Sequence, residues 1–139
     1  MTSLADLEAV LDSFAPRAAA AAAAENLLAV AEGALEQWIV ARGETPTAEK
    51  REGFRLLALH RQGARGAPSF NACRETCREI AYHYNMLCME PAHELAPARQ
   101  RMMAMLAKHL VLFVHGKLQV AGLGEFCCAS RPLRAAQAE

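Results

Sequence analysis

Residues 70–89, FNACRETCREIAYHYNMLCM, contain the sharpest periodic pattern in the chain. Apolar and sulfur-bearing side chains recur there at intervals of 3, 4, 3, 4 and 3, at Phe70, Cys73, Cys77, Ile80, Tyr84 and Leu87. These are the intervals that place side chains on one face of an α-helix. Charged side chains occupy the opposite face, at Arg74, Glu75, Arg78 and Glu79. The pattern predicts a helix whose apolar row is buried between neighbouring helices.

Helical spacing and the usual start and stop signals predict four further helices around this one. The expected bounds are Ser3 to about Phe14, Pro16 to Arg42, Thr45–Thr47 to near Gly63, Ser69 to about Met89, and Pro97 to His115. The fold class that follows is all-α, a single-domain antiparallel bundle of four to five helices. We expect the bundle to occupy residues 1–122 and an irregular C-terminal tail to occupy residues 123–139, which show no period.

The composition argues against the other fold classes. The 139 residues include five Phe, two Tyr and one Trp, and alternating apolar runs are absent, so a β-sandwich or barrel is not favoured. The apolar segment from Met102 to Gly124 is interrupted by Lys108, His109 and Lys117, and no membrane span is expected there. Five cysteines, an odd number, and a start without a basic or apolar leader predict reduced thiols in the cytoplasm.

The formal net charge is zero, but the charges are unevenly distributed along the chain. Residues 1–50 carry eight acidic and three basic side chains, a balance of −5, whereas residues 51–139 carry seven acidic and twelve basic, a balance of +5. We expect these opposite charges to meet within the fold or across a homodimer. The alternative is a basic face that binds nucleic acid.

Three cysteines on the fourth helix raise the question of a metal or redox site. Cys73, Cys77 and Cys88 fall within roughly 60° of arc on a helix of 3.6 residues per turn. With His83 they are candidate ligands for zinc. The spacing differs from that of zinc fingers, and cysteine on an apolar stripe acts as a small hydrophobic residue. Structural cysteines are therefore the favoured interpretation, and no cofactor is predicted, with zinc as the alternative.

Two other side chains are candidates for lining a small-molecule pocket between helices. Tyr84 belongs to a polar and aromatic cluster with Tyr82, His83 and Asn85, although helical geometry spreads these side chains around the cylinder. His109 lies among the apolar residues of the fifth helix. We interpret His109 first as a hydrogen-bonded core histidine.

The window from Arg51 to Arg78 has a local balance of +4. The candidate nucleic-acid residues within it are Arg61, Arg65, Arg74 and Arg78. The connection between the two helices is too long for a helix-turn-helix, and Glu75 and Glu79 lie among the arginines. DNA binding is therefore an alternative and not the favoured function.

No catalytic motif is recognisable, so an enzyme is not favoured. The function that we expect is that of a small cytosolic interaction or regulatory protein, which acts on an unknown protein partner through helix surfaces and forms homo-oligomers. The methionine-rich fifth helix supports this view, since it carries more apolar surface than a thin core needs. The alternatives are a metal- or redox-responsive bundle and a DNA-binding regulator.

Overall fold

The computed structural model describes residues 2–66 and 70–122, which form five α-helices packed together. The helices are α1 Leu4–Asp12, α2 Ala20–Ala41, α3 Arg55–Ala64, α4 Asn71–Met89 and α5 Ala96–Val120. No strand occurs within these two ranges. An isolated antiparallel bridge joins Arg51 to Phe54.

Helix α4 carries the periodic row that the sequence predicts. Phe70, Cys77, Ile80 and Leu87 are fully buried, while Arg74 and its charged neighbours on the other face are exposed. Each large apolar side chain removed from water in this way contributes roughly 1.5–3 kcal/mol. The prediction of an inward-facing row is confirmed.

Helix α2 packs against α1, α3, α4 and α5. Its first turns are built from alanine, and Ala20, Ala23 and Ala24 are almost completely buried. Methyl side chains let a neighbouring helix approach closely, and alanine has the highest intrinsic helix propensity. The alanine run thus forms core as well as helix.

An aromatic cluster joins the far end of α2 to α4 and α5. The ring of Phe70 lies with its centroid 5.3 Å from that of Trp38 and 5.1 Å from that of Phe113, the latter edge-on at 84°. The Lys117 ammonium lies 5.5 Å from the centroid of the Phe70 ring. Such pairs add to the free energy gained by burial alone.

Some of the acidic side chains in the first third of the chain pair with basic side chains within the fold. Glu32 and Glu36 both pair with Arg55. Asp12 pairs with Lys108 on α5, and Glu25 accepts a hydrogen bond from the hydroxyl of Tyr84 on α4. Among the described residues, three of the eight acidic side chains of the first 50 positions thus meet an opposite charge within the fold.

The third helix begins later than the sequence predicts. It starts at Arg55, not at Thr45–Thr47, because a tight turn precedes it. Glu52 and Gly53 both have positive φ, 53° and 85°, and the backbones of Arg51 and Phe54 exchange two hydrogen bonds of 3.0 Å. Positive φ at both central residues is typical of a two-residue hairpin turn and cannot continue a helix.

Other bounds also differ from those predicted. Helix α2 starts at Ala20 because the backbone of Arg17 is bonded to the side chain of Gln100, which holds the preceding segment outside the helix. Helix α5 extends past His115 to Val120, since Leu118 still reaches the core, and Gly122 with φ 73° follows. The predicted cap Ser69 and the tail at 123–139 lie outside the described residues.

Across the part of the chain that the structure describes, none of the helices combines the length and apolar character that crossing a bilayer requires.

A candidate anion-binding groove between α3 and α4

A groove of about 580 Å³ lies between α3, α4 and the turn that precedes α3. Its lining consists of Arg51, Glu52, Leu57, His60, Arg61, Ala64, Arg65, Arg74 and Arg78. Five of these side chains carry a guanidinium group, and one carries a carboxylate. The groove is therefore strongly cationic in a protein whose net charge is zero.

Helical geometry sets the spacing of four of these guanidinium groups. Arg61 and Arg65 are one turn apart at the end of α3, and Arg74 and Arg78 are one turn apart on α4. Four residues of helix correspond to a rise of about 6 Å. Packing α3 against α4 places the two pairs on the walls of the same groove.

Several hydrogen bonds fix the end of α3 that carries Arg61 and Arg65. The indole Nε1 of Trp38 donates to the carbonyl of Gly63 at 3.0 Å. The Arg42 guanidinium donates to the same carbonyl and to that of Arg65, each at 3.2 Å. The groove wall is therefore held by contacts from α2, and its exposed guanidinium groups are not needed for that purpose.

A second contact ties α3 to the start of α4. The buried ring of His60 lies with its Nε2 3.0 Å from the carbonyl oxygen of Phe70. A carbonyl oxygen only accepts hydrogen bonds, so Nε2 carries the proton and donates. The contact fixes the distance between the two arginine-bearing helices on the floor of the groove.

Among the residues that the structure describes, Glu52 is the one acidic side chain that lines the groove. Both of its carboxylate oxygens accept hydrogen bonds from Arg78, each at 3.0 Å, in a two-pronged arrangement. This contact lowers the pKa of the Glu52 carboxyl below its ordinary value, with a smaller contribution from the charge of Arg74. The same contact raises the pKa of Arg78.

A second hollow of about 730 Å³ adjoins the groove on the other side of α3. It shares Arg51, Arg61 and Arg65 with the groove and adds Lys50. Its acidic member is Glu49, which forms a hydrogen bond with the hydroxyl of Thr47. The two concavities thus form one extended cationic surface around the end of α3.

Most of the positive charge in the groove is unmatched. Within residues 2–66 and 70–122, Arg78 is the only groove arginine with a carboxylate at ion-pair distance. The guanidinium group is planar, always charged and able to bind a carboxylate or phosphate through two parallel hydrogen bonds. The groove is suited to binding an anionic group.

The structure brings together all four arginines that the sequence singles out. Arg61, Arg65, Arg74 and Arg78 are exposed and line the one groove. Sequence reasoning named Arg51 only as the start of the basic window and missed Lys50, His60 and Glu52 as members of the site. Local sequence gives no signal for Glu52, because Glu-Gly is not one of the dipeptides, such as Asn-Gly or Asp-Gly, that are typical of a tight turn.

The three cysteines of α4 do not form one site. Cys73 and Cys77 are buried, and contact with the Cys73 side chain, with burial, raises the pKa of the Cys77 thiol well above its ordinary value. Cys88 is exposed. Cys88 therefore does not share the buried environment of the other two cysteines, although the neighbouring Leu87 is fully buried.

His83 is half-buried beside the ring of Tyr82, with the ring centroids 5.3 Å apart. Its Nδ1 is buried without a hydrogen-bond partner among the described residues. Burial lowers the pKa of this imidazole. Over the described ranges, no three His, Cys, Asp or Glu side chains gather in an arrangement that could hold a metal ion.

Tyr84 and His109 lie apart. The Tyr84 ring is half-buried and packs edge-on against Phe54 at 5.5 Å, and donation of its hydroxyl to Glu25 raises its pKa. His109 is exposed at the mouth of a small cavity of about 180 Å³, which Cys73 and Thr76 also line. The interpretation of His109 as a core histidine is wrong, because it lies on the outer face of α5.

Comparison with known proteins yields no family model, curated sequence or solved structure that matches this chain. Its function is therefore argued from its own geometry.

Proposed function

We propose that this protein is a small cytosolic interaction protein that binds an anionic segment of a protein partner in the groove between α3 and α4. The observation that carries the proposal is the gathering of five guanidinium groups around one carboxylate in a single concavity. Arginine is the residue best suited to carboxylate and phosphate recognition. A regulatory role follows if the anionic character of the partner segment changes with its modification state.

The shape of the groove favours a narrow anionic chain over duplex DNA. A protein that reads duplex DNA inserts a protruding helix or strand into a groove of the nucleic acid, whereas these arginines line a concavity of the protein. The exposed carboxylates of Glu75 and Glu79 would also lie near the phosphates. The described residues that line the groove include no Phe, Tyr or Trp on which the bases of a single strand could stack.

Binding of a fluorescent glutamate-rich peptide, followed by anisotropy over a range of salt concentrations, tests this proposal. We expect binding that weakens as salt is added, because exposed charges are screened. The double variant Arg61→Gln/Arg65→Gln should lose most of the binding. The matched control is Arg101→Gln on α5, an exposed arginine outside the groove, which should bind as the wild type does.

Two outcomes would overturn the proposal. One is the absence of salt-dependent binding to the peptide, and the other is equal binding by the Arg61→Gln/Arg65→Gln variant and the wild type. Unlabelled duplex and single-stranded DNA serve as competitors. Their concentrations are compared as moles of negative charge. If either DNA binds through the same arginines and displaces the peptide completely at a lower charge concentration, the partner is a nucleic acid and not a protein.

A second candidate function, self-association, is favoured by the outer face of α5. Exposed side chains recur along it at helical intervals, namely Met102, Met105, His109, Leu112 and Val120. Met105 is 60% exposed. We propose that consecutive helices run antiparallel, an arrangement in which this row of side chains faces away from the bundle. A second copy of α5 then covers the row, as in a coiled coil.

Sedimentation velocity at micromolar concentration tests the self-association. We expect a dimer that the double variant Met105→Glu/Leu112→Glu converts to a monomer, since charge in an apolar interface is costly. Val10→Glu on α1 is the control, because Val10 is also exposed but lies off the row. A monomeric wild type would rule out this second function without affecting the groove.

A further inference from the structure

We propose that the Glu52 carboxylate occupies the place of a ligand, and that the groove binds a phosphorylated side chain of the partner at Arg78 and Arg74 once Glu52 has moved away. The inference rests on the proposed function and deepens it by naming the group that is recognised. The contact that leads to it is the two-pronged hydrogen bonding between Glu52 and Arg78.

The geometry at Arg78 is that of an anion already bound. Two parallel hydrogen bonds of 3.0 Å join the edge of the guanidinium group to the two oxygens of the carboxylate. A phosphate group presents two oxygens to arginine in the same way. Arg74 lies one turn away on α4 and is close enough to act electrostatically on the Glu52 carboxyl.

Glu52 is held in a conformation that a non-glycine residue rarely adopts. Its φ of 53° is the one positive value outside glycine among the described residues. Left-handed backbone at such a residue is strained, and strain of this kind is found at functional sites when the surroundings enforce it. The side chains of Glu52 and Arg78 are 52% and 43% exposed, so solvent or an incoming anion has access to the pair.

The charge of the groove favours a phosphoryl group over a second carboxylate. Glu52 supplies one negative charge and leaves Arg51, Arg61 and Arg65 without a carboxylate at ion-pair distance in the described part of the chain. A phosphorylated side chain carries about −1.5 to −2 charges and three acceptor oxygens. It can therefore displace Glu52 and still engage a further guanidinium group.

The open groove favours a phosphorylated peptide over a free phosphate. The adjoining hollow continues the cationic surface along Lys50 and Arg51, beyond the reach of a single phosphate. Acidic residues that flank a modified side chain would lie there. This continuity distinguishes the groove from a pocket that encloses one small ion.

Calorimetric titration with three synthetic peptides tests the inference. The peptides share one sequence and differ at a central position, which is phosphoserine, serine or glutamate, and inorganic phosphate is titrated in parallel. We expect the phosphoserine peptide to bind the wild type more tightly than the glutamate peptide does. The serine peptide and inorganic phosphate should bind more weakly than either.

Removal of the Glu52 charge should strengthen the binding of the phosphoserine peptide. We expect Glu52→Gln to bind it about fivefold more tightly, because a fivefold change in affinity corresponds to the free energy of one exposed ion pair. Glu52→Asn should do the same, because asparagine readily adopts positive φ and preserves the turn. Glu94→Gln, at an exposed acidic residue between α4 and α5 and outside the groove, is the control and should bind as the wild type does, and Arg78→Gln should weaken binding.

The outcomes separate this inference from the function on which it rests. If the glutamate-rich peptide still binds but neither Glu52 variant binds the phosphoserine peptide more tightly, Glu52 does not occupy the place of the ligand, and the proposed function stands. If no peptide binds, both fail. If inorganic phosphate binds as tightly as the phosphoserine peptide, the ligand is a small phosphate and the peptide partner is wrong.

Discussion

The indole nitrogen of Trp38 on α2 donates a hydrogen bond to the carbonyl of Gly63 on α3, and the indole ring covers the α-carbon of that glycine. A Cβ built on Gly63 would lie 3.0 Å from Cδ1 of Trp38. The absence of a side chain at residue 63 therefore allows α3 to dock on α2. The same contact supports the wall of the cationic groove.

We expect Gly63→Ala to lower the free energy of unfolding by about 1–3 kcal/mol, because the added methyl group overpacks a ring that is fixed by a hydrogen bond. Urea denaturation measures the change. Gly33→Ala is the matched control, since its methyl group would lie 3.3 Å from the flexible end of Leu7. That variant gains helix propensity and should be neutral or slightly stabilising. Equal effects of the two would contradict the role assigned to Trp38.

The Gln100 side chain joins α5 to the segment before α2. It is fully buried, and its amide accepts from the N–H of Arg17 and donates to the carbonyl of Arg17, each at 2.8 Å. Gln100→Met keeps the volume but leaves both backbone groups of Arg17 unpaired. We expect a loss of about 2 kcal/mol in the free energy of unfolding. The comparison is a substitution at an exposed residue, and Gln119 does not serve because it is buried. A loss of the same size in both variants would show that water replaces the amide.

Arg55 stabilises two half-buried glutamates, Glu32 and Glu36. Burial raises the pKa of Glu32 despite the opposing effect of the Arg55 charge. A raised pKa in the folded state means that ionised Glu32 costs stability above its pKa, and Arg55 offsets that cost. We therefore expect Arg55→Gln to destabilise the protein by about 1–3 kcal/mol at neutral pH.

The effect of Arg55→Gln should diminish as the pH falls through the pKa of Glu32, where protonation removes the charge that Arg55 neutralises. Unfolding curves at neutral and mildly acidic pH measure the difference. Arg101→Gln, an exposed arginine of α5, should show no such dependence. A destabilisation by Arg55→Gln that is constant with pH would indicate that the arginine acts through packing alone.

The three cysteines of α4 should differ in their reaction with a thiol reagent. Cys88 is exposed, whereas Cys77 is buried and its raised pKa keeps the thiol protonated at neutral pH. The other two cysteines of the chain, Cys127 and Cys128, lie outside the described residues and are replaced by serine for this test. In that variant we expect one fast equivalent, from Cys88, and two that react only on unfolding. Mass spectrometry of the modified peptides identifies them. Fast modification of Cys73 or Cys77 in the native protein would contradict the buried packing of this pair.

The sequence predicts the helices better than it predicts the site. The row from Phe70 to Leu87 is long, regular and rich in large side chains, so its period alone identifies the buried face. The period gives no such information in α5, whose residues are apolar nearly all round, and His109 was therefore assigned to the wrong face. The spacing of Arg61 with Arg65, and of Arg74 with Arg78, is visible in the sequence. The convergence of the two pairs on one groove depends on how α3 packs against α4.

Glu52 and Gln100 show why the rest could not be predicted. Each interaction joins residues far apart in the chain, Glu52 with Arg78 and Gln100 with Arg17. An acidic residue before glycine and a glutamine in a helix are common on protein surfaces, and nothing local distinguishes these two. Their roles become visible only when the partner side chain or backbone is in place.

The alanine run of α2 has a consequence for how the molecule assembles. Methyl groups freeze no rotamers on burial, so this half of the helix joins the core at little entropic cost. Smooth surfaces of this kind also do little to set how far one helix is translated along another. The register of α2 is therefore set by directional contacts at its two ends, Arg17 with Gln100 and Trp38 with Gly63, and the alignment of the arginines at the end of α3 depends on the second of these.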